Sequence, residues 1–423
     1  MALYTVRFKT HHDAYRELKK HFTLKTDKTE YAAGLLCNPA PSRRAVYFHV
    51  PFCNKICSFC PFHRPDALSR KAYHTYLIDE MRALSGFEYM RAPIGAVNFG
   101  GGTPTALDPE QIDAVLKEFK NRFVLEPNAE ISVETSVNGL SDEMLAVLKE
   151  NGVNRLSVGV QTFDDGTRKL LNRKGGGENA ALTLEKAVRF GFKNTGVDLI
   201  YNYPRQTTEM LERDLNVIKS LNLAGVSFYS LMLHETTPLF NRLSEEEKRL
   251  MEDTGREYEL FSMIIDGLGA AGYSVFELTK LIRDGIDRYE YMRIRHTCGS
   301  CIAIGHGAGG NLENYIYSNS VTAQSLSDTV PISARGRIVS DKYRVLDEFI
   351  NELQKTETDL AAYSERLDVD LAAVLRPLCD KAAVEGLITA ADNKIAFTKR
   401  GLFWGNNIIS DCIALIINAA VDG

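Results

Sequence analysis

Short apolar segments alternate with amphipathic segments along the first half of the chain. The apolar segments are rich in β-branched and aromatic residues, and we predict strands at 44–50, 95–99, 129–134, 154–159, 194–200 and 225–231. The segments between them have helical periodicity. In DPEQIDAVLKEFKNRF, for example, Asp108 can cap a helix and Pro109 suits its first turn. Six strand–helix units in succession predict an α/β fold, a parallel sheet that closes into a partial (β/α)6 barrel.

The pattern changes in the second half of the chain. Residues 244–271 predict one long amphipathic helix, and YSVFEL predicts a strand after it. Residues 318–340 are polar and irregular, which is typical of a loop or linker. The last part predicts two helices and then two strands around the turn ADN, a winged-helix-like order.

These changes divide the chain into four parts. We predict an N-terminal extension at 1–42, a partial barrel core at 43–240, a barrel extension and linker at 241–340, and a mostly helical accessory domain at 341–423. Winged-helix modules often bind DNA, but no basic stripe marks the second predicted helix of the last part. Covering a substrate is therefore the favoured role for this domain.

Composition narrows the classes of function. The 423 residues are 44% hydrophobic and 25% charged, as in ordinary globular proteins, and the net charge of −5 gives no basic footprint for nucleic acid. No apolar run reaches membrane-spanning length, and the N-terminus lacks a signal-peptide pattern. We expect a cytoplasmic protein, in which clustered thiols bind metal or take part in catalysis more often than they form disulfides.

Three of the eight cysteines lie within eight residues, in the segment HVPFCNKICSFCPF. Cys53, Cys57 and Cys60 have the spacing C-x3-C-x2-C, with no fourth ligand just beyond them. A structural zinc site needs four ligands, so Cys298 or Cys301 would have to complete it. Inert packing is another alternative, although a loop bracketed by prolines gives little reason to cluster thiols. Iron–sulfur clusters are held by thiolates, and three thiolates on a four-iron cluster would leave one iron open to another ligand.

A glycine run follows the second predicted strand, in NFGGGTPTAL. Glycines let the backbone approach a ligand closely, and their amides and carbonyls can pair with an amino acid moiety. Alone, such a run is more often a tight turn. Because the carboxyl ends of parallel strands carry the chemistry in such barrels, we expect the run to lie beside the cysteine loop.

Together, the cysteine loop and the glycine run resemble the radical S-adenosylmethionine (SAM) superfamily, and GGGTPT is similar to its coproporphyrinogen dehydrogenase-like branch. In that superfamily a [4Fe-4S] cluster on three cysteines binds SAM through its open iron and cleaves it with one electron. The resemblance implies Cys53, Cys57 and Cys60 as cluster ligands. It assigns no catalytic residue beyond the cluster and SAM sites.

The resemblance also implies a set of residues that surround SAM. An ammonium, a carboxylate and a diol require an acid, a cation and hydrogen-bonding acceptors, although each such residue alone could be a solvated charge. The implied contacts are Tyr47 in the YxHIPFC-like opening, Phe59 at the adenine, Gly101, Gly102, Thr103 and Glu134 near the amino group, Arg173 at the carboxylate, and Gln161 and Asp198 at the ribose.

The chain departs from the coproporphyrinogen dehydrogenases in two places. Phe62 stands where they carry a further cysteine. The segments CIAIGHGAGGNLENYIYSN (301–319) and FTKRGLFWGNNIISDCIALI (397–416) instead resemble anaerobic haem-degrading radical SAM methyltransferases. GHGAGG also fits the dinucleotide pattern G-x-G-x-x-G, but no amphipathic helix follows it, so we do not expect a Rossmann site.

The resemblance implies a radical SAM enzyme that opens haem by radical methyl transfer and releases iron. It would use a [4Fe-4S] cluster, two SAM molecules and an electron donor such as flavodoxin or ferredoxin, with no nucleic-acid partner. Three alternatives stay open: oxidative decarboxylation of coproporphyrinogen III, a haem chaperone without turnover, and methylation of a peptide or natural product.

The segment RHTCGSC has no role in this prediction. Cys298 and Cys301 form a C-x-x-C pair, with His296 just before it and His306 shortly after. A redox pair, a haem-iron contact, a second metal site and a cavity lining are all open. Ordinary packing is the favoured interpretation.

Overall fold

The computed structural model describes residues 2–25, 28–62, 69–319, 336–355, 357–391 and 393–422. Its strands are β1 Thr23–Leu24, β2 Arg44–Val50, β3 Ile94–Gly101, β4 Leu125–Ser136, β5 Arg155–Gln161, β6 Asn194–Tyr201, β7 Gly225–Ser230, β8 Ser274–Glu277, β9 Lys280–Ile282, β10 Ser300–Ile304, β11 Gly309–Leu312, β12 Tyr315–Ser318, β13 Arg337–Val339, β14 Glu357–Asp359, β15 Ile388–Ala391 and β16 Lys394–Phe397. Its helices are α1 His12–Phe22, α2 Lys28–Leu36, α3 Tyr73–Leu84, α4 Pro109–Arg122, α5 Asp142–Glu150, α6 Asp165–Leu170, α7 Gly177–Arg189, α8 Thr208–Ser220, α9 Glu245–Glu252, α10 Thr254–Gly269, α11 Glu290–His296, α12 Asp341–Leu353, α13 Ala361–Leu367, α14 Leu371–Val384, α15 Lys399–Phe403 and α16 Gly405–Asp422.

Seven neighbouring strands run parallel, in the order β10-β2-β3-β4-β5-β6-β7. The six predicted strands correspond to β2–β7, so the predicted α/β fold is confirmed. Strand β10 is not among the predicted strands, because its five residues directly precede a glycine-rich segment and read as part of that motif. Antiparallel strands extend both edges into a sheet of 13 strands.

Successive side chains along each strand point alternately to the two faces of the sheet, one packed against the helices and the other facing the inside of the barrel. Val46 and Phe48 of β2 are fully buried against the helices, where Phe48 stacks on Phe99 with ring centroids 4.3 Å apart. Burying a side chain of this size contributes about 2–3 kcal/mol. Tyr47, which lies between them, points to the opposite, concave face. Polar side chains at the Tyr47 level therefore face the inside of the barrel.

The predicted helix at 244–271 is wrong as a single element, because it is divided into α9 and α10. Asp253 leaves the helical region, with φ −67° and ψ 103°. Its carboxylate accepts hydrogen bonds from the backbone N–H groups of Gly255 and Arg256 at 2.8 and 3.2 Å. An aspartate that caps a new helix N-terminus interrupts the old one even where the apolar periodicity continues.

Buried charges close the lower end of the barrel, where the parallel strands begin. The guanidinium of Arg155 binds both carboxylate oxygens of Asp287 at 3.0 and 3.1 Å and the hydroxyl of Ser132 at 3.1 Å. Glu130 accepts the first backbone N–H groups of α11, which suits the positive end of a helix dipole. These groups are paired within the protein.

The two ends of the chain pack together. Asn407 of α16 accepts from the N–H of Phe8 and donates to the carbonyl of Val6, both at 2.9 Å. Asn406 donates to the carbonyl of Phe8 at 3.1 Å. The asparagines of the FW-x-x-N segment therefore hold the N-terminal extension.

The C-terminal part contains the predicted pair of strands, but three helices, α12, α13 and α14, precede it where two were predicted. Helices α13 and α14 precede the antiparallel pair β15–β16, and β14 adds a third strand to this small sheet. Within the turn ADN, residue 392 lies outside the described residues, as do residues 320–335 of the predicted linker. In the part of the chain that the structure describes, no helix combines the length and apolar character needed to cross a membrane.

Candidate active site

The cysteine loop follows β2 at the carboxyl edge of the sheet and is tied to other elements by its backbone. Ser58 donates its N–H to the carbonyl of Leu171 at 3.1 Å and accepts from the N–H of Leu239 at 2.9 Å. Phe59 packs on an apolar cluster at the same edge of the sheet. The loop is thus held in place while its three cysteines stay partly exposed.

Two of the thiols contact polar side chains from neighbouring segments. Arg173 donates to the sulfur of Cys57 at 3.2 Å, and the hydroxyl of Thr103 donates to the sulfur of Cys53 at 3.4 Å. Among the described residues, no three candidate ligands surround a single ion position. A four-iron cluster binds each thiolate to a different iron, and three cysteines on one loop are a donor set that suits such a cluster.

The glycine run lies directly against the cysteine loop. Gly102 donates its N–H to Val50, and Thr103 donates its N–H to Phe52 at 2.7 Å. A Cβ at Gly102 would lie 2.5 Å from the carbonyl oxygen of Phe52, and Gly101 has φ +106°. Glycine is required at both positions, for close approach at one and for conformation at the other.

Glu134, at the end of β4, is directed at the same run. Its carboxylate accepts a hydrogen bond from Asn98 at 3.0 Å, and a Cβ on Gly100 would lie only 2.7 Å from its Oε1. Burial and the nearby Asp198 raise the pKa of Glu134. A cationic ligand at this point would offset the cost of the buried carboxylate.

Strands β5 and β6 bring the other predicted residues to this edge. Gln161 has φ +74°, at an irregularity in the register of β5 with β6. Gly159 lies between Gln161 and Arg173: a Cβ there would be 3.2 Å from the amide of Gln161 and 3.6 Å from the guanidinium of Arg173. Asp198 accepts a hydrogen bond from the hydroxyl of Ser157 at 3.3 Å.

Three polar residues of this region are not among the predicted site residues, namely His49, Asn98 and Ser157. His49 lies 3.0 Å from the hydroxyl of Tyr47, and a Cβ on Gly101 would lie 2.8 Å from its ring. Burial raises the pKa of Tyr47 above its usual range. The available signal was strand alternation, since these residues share the inner face with predicted ones.

The C-x-x-C segment does not form a joint site in this structure. Cys298 donates to the backbone carbonyl of Arg344 at 3.0 Å, and burial raises its pKa to about 12. Cys301 is buried in β10, 3.8 Å from the hydroxyl of Tyr291. His306 stacks on Tyr76 with ring centroids 4.0 Å apart. These contacts are those of packed side chains.

The fold and this arrangement define an α/β protein with a cysteine loop and a glycine cradle at the open end of a partial barrel. The family model of the radical SAM superfamily matches residues 47–218, and that of the HemN C-terminal domain matches residues 339–404. The chain therefore contains a radical SAM domain and a HemN C-terminal domain, and the radical SAM family implies a [4Fe-4S] cluster and SAM.

Similar proteins cover most of the chain. It is 27% identical to anaerobilin synthase of Escherichia coli O157:H7, across 89% of this chain and 85% of the relative. It is also 27% identical to the heme chaperone HemW of Lactococcus lactis subsp. lactis, across 88% and 98%. The solved structure of coproporphyrinogen III oxidase (HemN) from Escherichia coli superposes with a TM-score of 0.78 at 21% identity, covering 97% and 96% of the chains. That likeness shows the fold.

Proposed function

We propose that this protein is a radical SAM enzyme that opens the haem ring by radical methyl transfer and releases iron. The observation that carries the enzyme class is the set of three partly exposed thiols beside the glycine run. Similarity to anaerobilin synthase across 89% of the chain supports the choice of haem. The GHGAGG and FW-x-x-N segments and Phe62 point the same way.

The residues of the site suit the chemical groups of SAM. Cys53, Cys57 and Cys60 would hold the cluster, which when bound and reduced supplies the electron that cleaves SAM. Glu134 would pair with the ammonium of SAM and Arg173 with its carboxylate. Tyr47, Phe59, Gln161 and Asp198 would position the nucleoside, and Gly101, Gly102 and Thr103 would approach the amino acid moiety.

The protein's own contribution is binding, orientation and exclusion of water. The N-terminal extension crosses the rim of the barrel and is held by Asn406 and Asn407. An external electron carrier such as flavodoxin or ferredoxin would reduce the cluster from the exposed side of the cysteine loop, where Asn54, Lys55 and Ile56 are exposed.

The decisive experiment uses anaerobically purified, cluster-reconstituted protein with SAM, a reductant and haem. We expect 5′-deoxyadenosine, S-adenosylhomocysteine and a linear methylated tetrapyrrole, together with released iron. A parallel incubation with coproporphyrinogen III serves as the matched control and is expected to give no carbon dioxide.

Each alternative gives a different product pattern. Deoxyadenosine and carbon dioxide from coproporphyrinogen, without S-adenosylhomocysteine, would indicate oxidative decarboxylation. Retained haem with negligible SAM cleavage would indicate a chaperone. Deoxyadenosine without any S-adenosylhomocysteine would contradict methyl transfer.

A further inference from the structure

The N-terminal extension carries cations along the rim of the barrel. Arg7 donates to the hydroxyl of Tyr201, the last residue of β6, at 3.2 Å. Lys9 donates to the carbonyl of Leu231, the first residue after β7, at 3.0 Å. This stretch thus passes over the carboxyl ends of two barrel strands.

The two cations share one buried carboxylate. Glu257 lies 2.5 Å from Arg7 and 3.9 Å from Lys9, and the side chains of the three are 2%, 8% and 24% exposed in that order. Arg7 has the close contact and is also bound to the carbonyl of Phe403. Among the described residues, a second carboxylate, that of the exposed Glu252, also acts on Lys9, and its effect is weaker.

Lys9 is therefore a partly buried cation with an incomplete counterion. Burial lowers its pKa, and Arg7 adds to the lowering. A desolvated ammonium is stabilised only when an anion pairs with it, and here that anion is already engaged by Arg7. One further negative group at this point would balance the charge of the cluster.

An exposed aromatic residue lies two positions before Leu231, whose carbonyl binds Lys9. Tyr229 is 46% exposed and precedes Leu231 by two residues. Asp198 and Ser227 are partners in the β6–β7 register, and Tyr229 lies one step further along the same face toward the open end. A planar ligand ring stacked on the side chain of Tyr229 would therefore lie between the predicted SAM site and the rim of the barrel.

We propose that Lys9 binds a carboxylate of the substrate, while the planar ring system of the substrate lies on Tyr229. This inference rests on the proposed function in that the substrate is a tetrapyrrole with carboxylate side chains. It assigns to the N-terminal extension a direct role in substrate binding.

The test compares haem with its dimethyl ester, in which both carboxylates are capped. Both ligands are titrated into the full-length, cluster-reconstituted protein, and affinity is followed by haem absorbance. We expect the wild type to bind haem about ten- to 100-fold more tightly than the ester, since a charge-assisted hydrogen bond is lost. Lys9→Gln should lose this preference by weakening haem binding alone, and Lys9→Arg should restore it.

Two further variants make the result specific. Lys20→Gln removes an exposed lysine that pairs with Glu17 at 3.4 Å, and this variant should bind both ligands as the wild type does. Tyr229→Ala should weaken haem and ester equally, because it removes ring contact and no charge.

The outcomes separate this inference from the proposed function. If the wild type prefers haem over the ester and Lys9→Gln keeps that preference, the subsite is wrong and the proposed function stands. The subsite is also wrong if the wild type binds haem and ester equally. If the wild type binds neither ligand, the proposed function fails, and the subsite fails with it.

Discussion

Both ends of the barrel contain buried polar and charged side chains, but the hydrogen-bond and ion-pair partners of these side chains differ between the two ends. At the lower end, Arg155 and Asp287 make a two-pronged ion pair, and Glu130 is bound to the start of α11. At the upper end, Glu134 has Asn98 as its hydrogen-bonding side chain. Burial raises the pKa of Glu134 as it does that of Glu130, but Glu130 also lies 4.0 Å from the guanidinium of Arg155.

This difference distinguishes structural from ligand-binding charge. Buried charges that are paired within the chain hold elements together, and removing one partner leaves the other uncompensated. A buried charge that lacks a protein counterion is instead a candidate for binding a ligand of opposite charge. Glu134 belongs to the second kind, and Lys9 is close to it because Arg7 already engages the glutamate that Lys9 shares.

The largest effect is expected from the cysteine loop. Cys57→Ala should abolish cluster assembly, because three thiolates are the only protein bonds proposed for the cluster. Iron, sulfide and the cluster absorbance of the reconstituted protein are the measurements. The double variant Cys298→Ala/Cys301→Ala is the matched control and should keep a full cluster. A Cys57→Ala protein with normal iron and sulfide would refute the ligand assignment.

At the lower end, Asp287→Ala should reduce the free energy of unfolding by about 3–5 kcal/mol, because Arg155 would stay buried without its bidentate partner and with Glu130 only at 4.0 Å. Denaturant unfolding measures the loss. Asp142→Ala breaks an exposed pair with Lys186 and should cost less than about 1 kcal/mol. The assignment of this end as structural fails if Asp287→Ala unfolds like the wild type.

At the upper end, Arg173→Gln and Asp198→Asn should each weaken SAM binding by about 1.5–3 kcal/mol with normal cluster content. Calorimetry on reconstituted protein checks this. Arg189→Gln, which removes an exposed pair with Glu185, should bind SAM normally. Lower thermal stability with unchanged SAM affinity in both site variants would mean that these residues are structural.

The smallest effect concerns Glu80, which lies behind the site in α3 and accepts from the N–H of Gly305 and the amide of Asn319. Burial raises its pKa from 4.5 to about 7. The folded state therefore holds a proton that the unfolded state releases, so the contribution of Glu80 to stability is present at low pH and is lost as pH rises to about 7.

Between pH 6 and pH 8 the wild type should lose about 1 kcal/mol of stability through this group, and Glu80→Gln should lack that loss. Denaturant unfolding of both proteins at the two pH values gives the difference. Equal pH dependence in the two proteins would show that the carboxyl group of Glu80 does not titrate in this range.

Much of the fold could be predicted because its signals are local. The apolar strands and the cap of α4 at Asp108 are each determined within a few neighbouring residues. Asp253 shows where local signals fail. Its side chain can cap a new helix, but the apolar periodicity continues across it and favours one continuous helix, and the sequence does not show which of the two prevails. Strand β10, the last of the parallel strands, was hidden for a similar reason, since a short and mostly apolar run such as SCIAI suits several structures.

The sequence by itself determined the chemistry of the site: three thiols at cluster spacing, a glycine run, and an acid, a cation and acceptors after successive strands. These features depend on residue type and short spacing, so they can be identified without a three-dimensional structure. Only the tertiary structure decided which charges are compensated. Arg155 and Asp287 are 132 positions apart and form a pair, whereas Lys9 shares with Arg7 a glutamate 248 positions away. Long-range pairing depends on how the sheet closes and how the chain ends pack, and no local pattern records it.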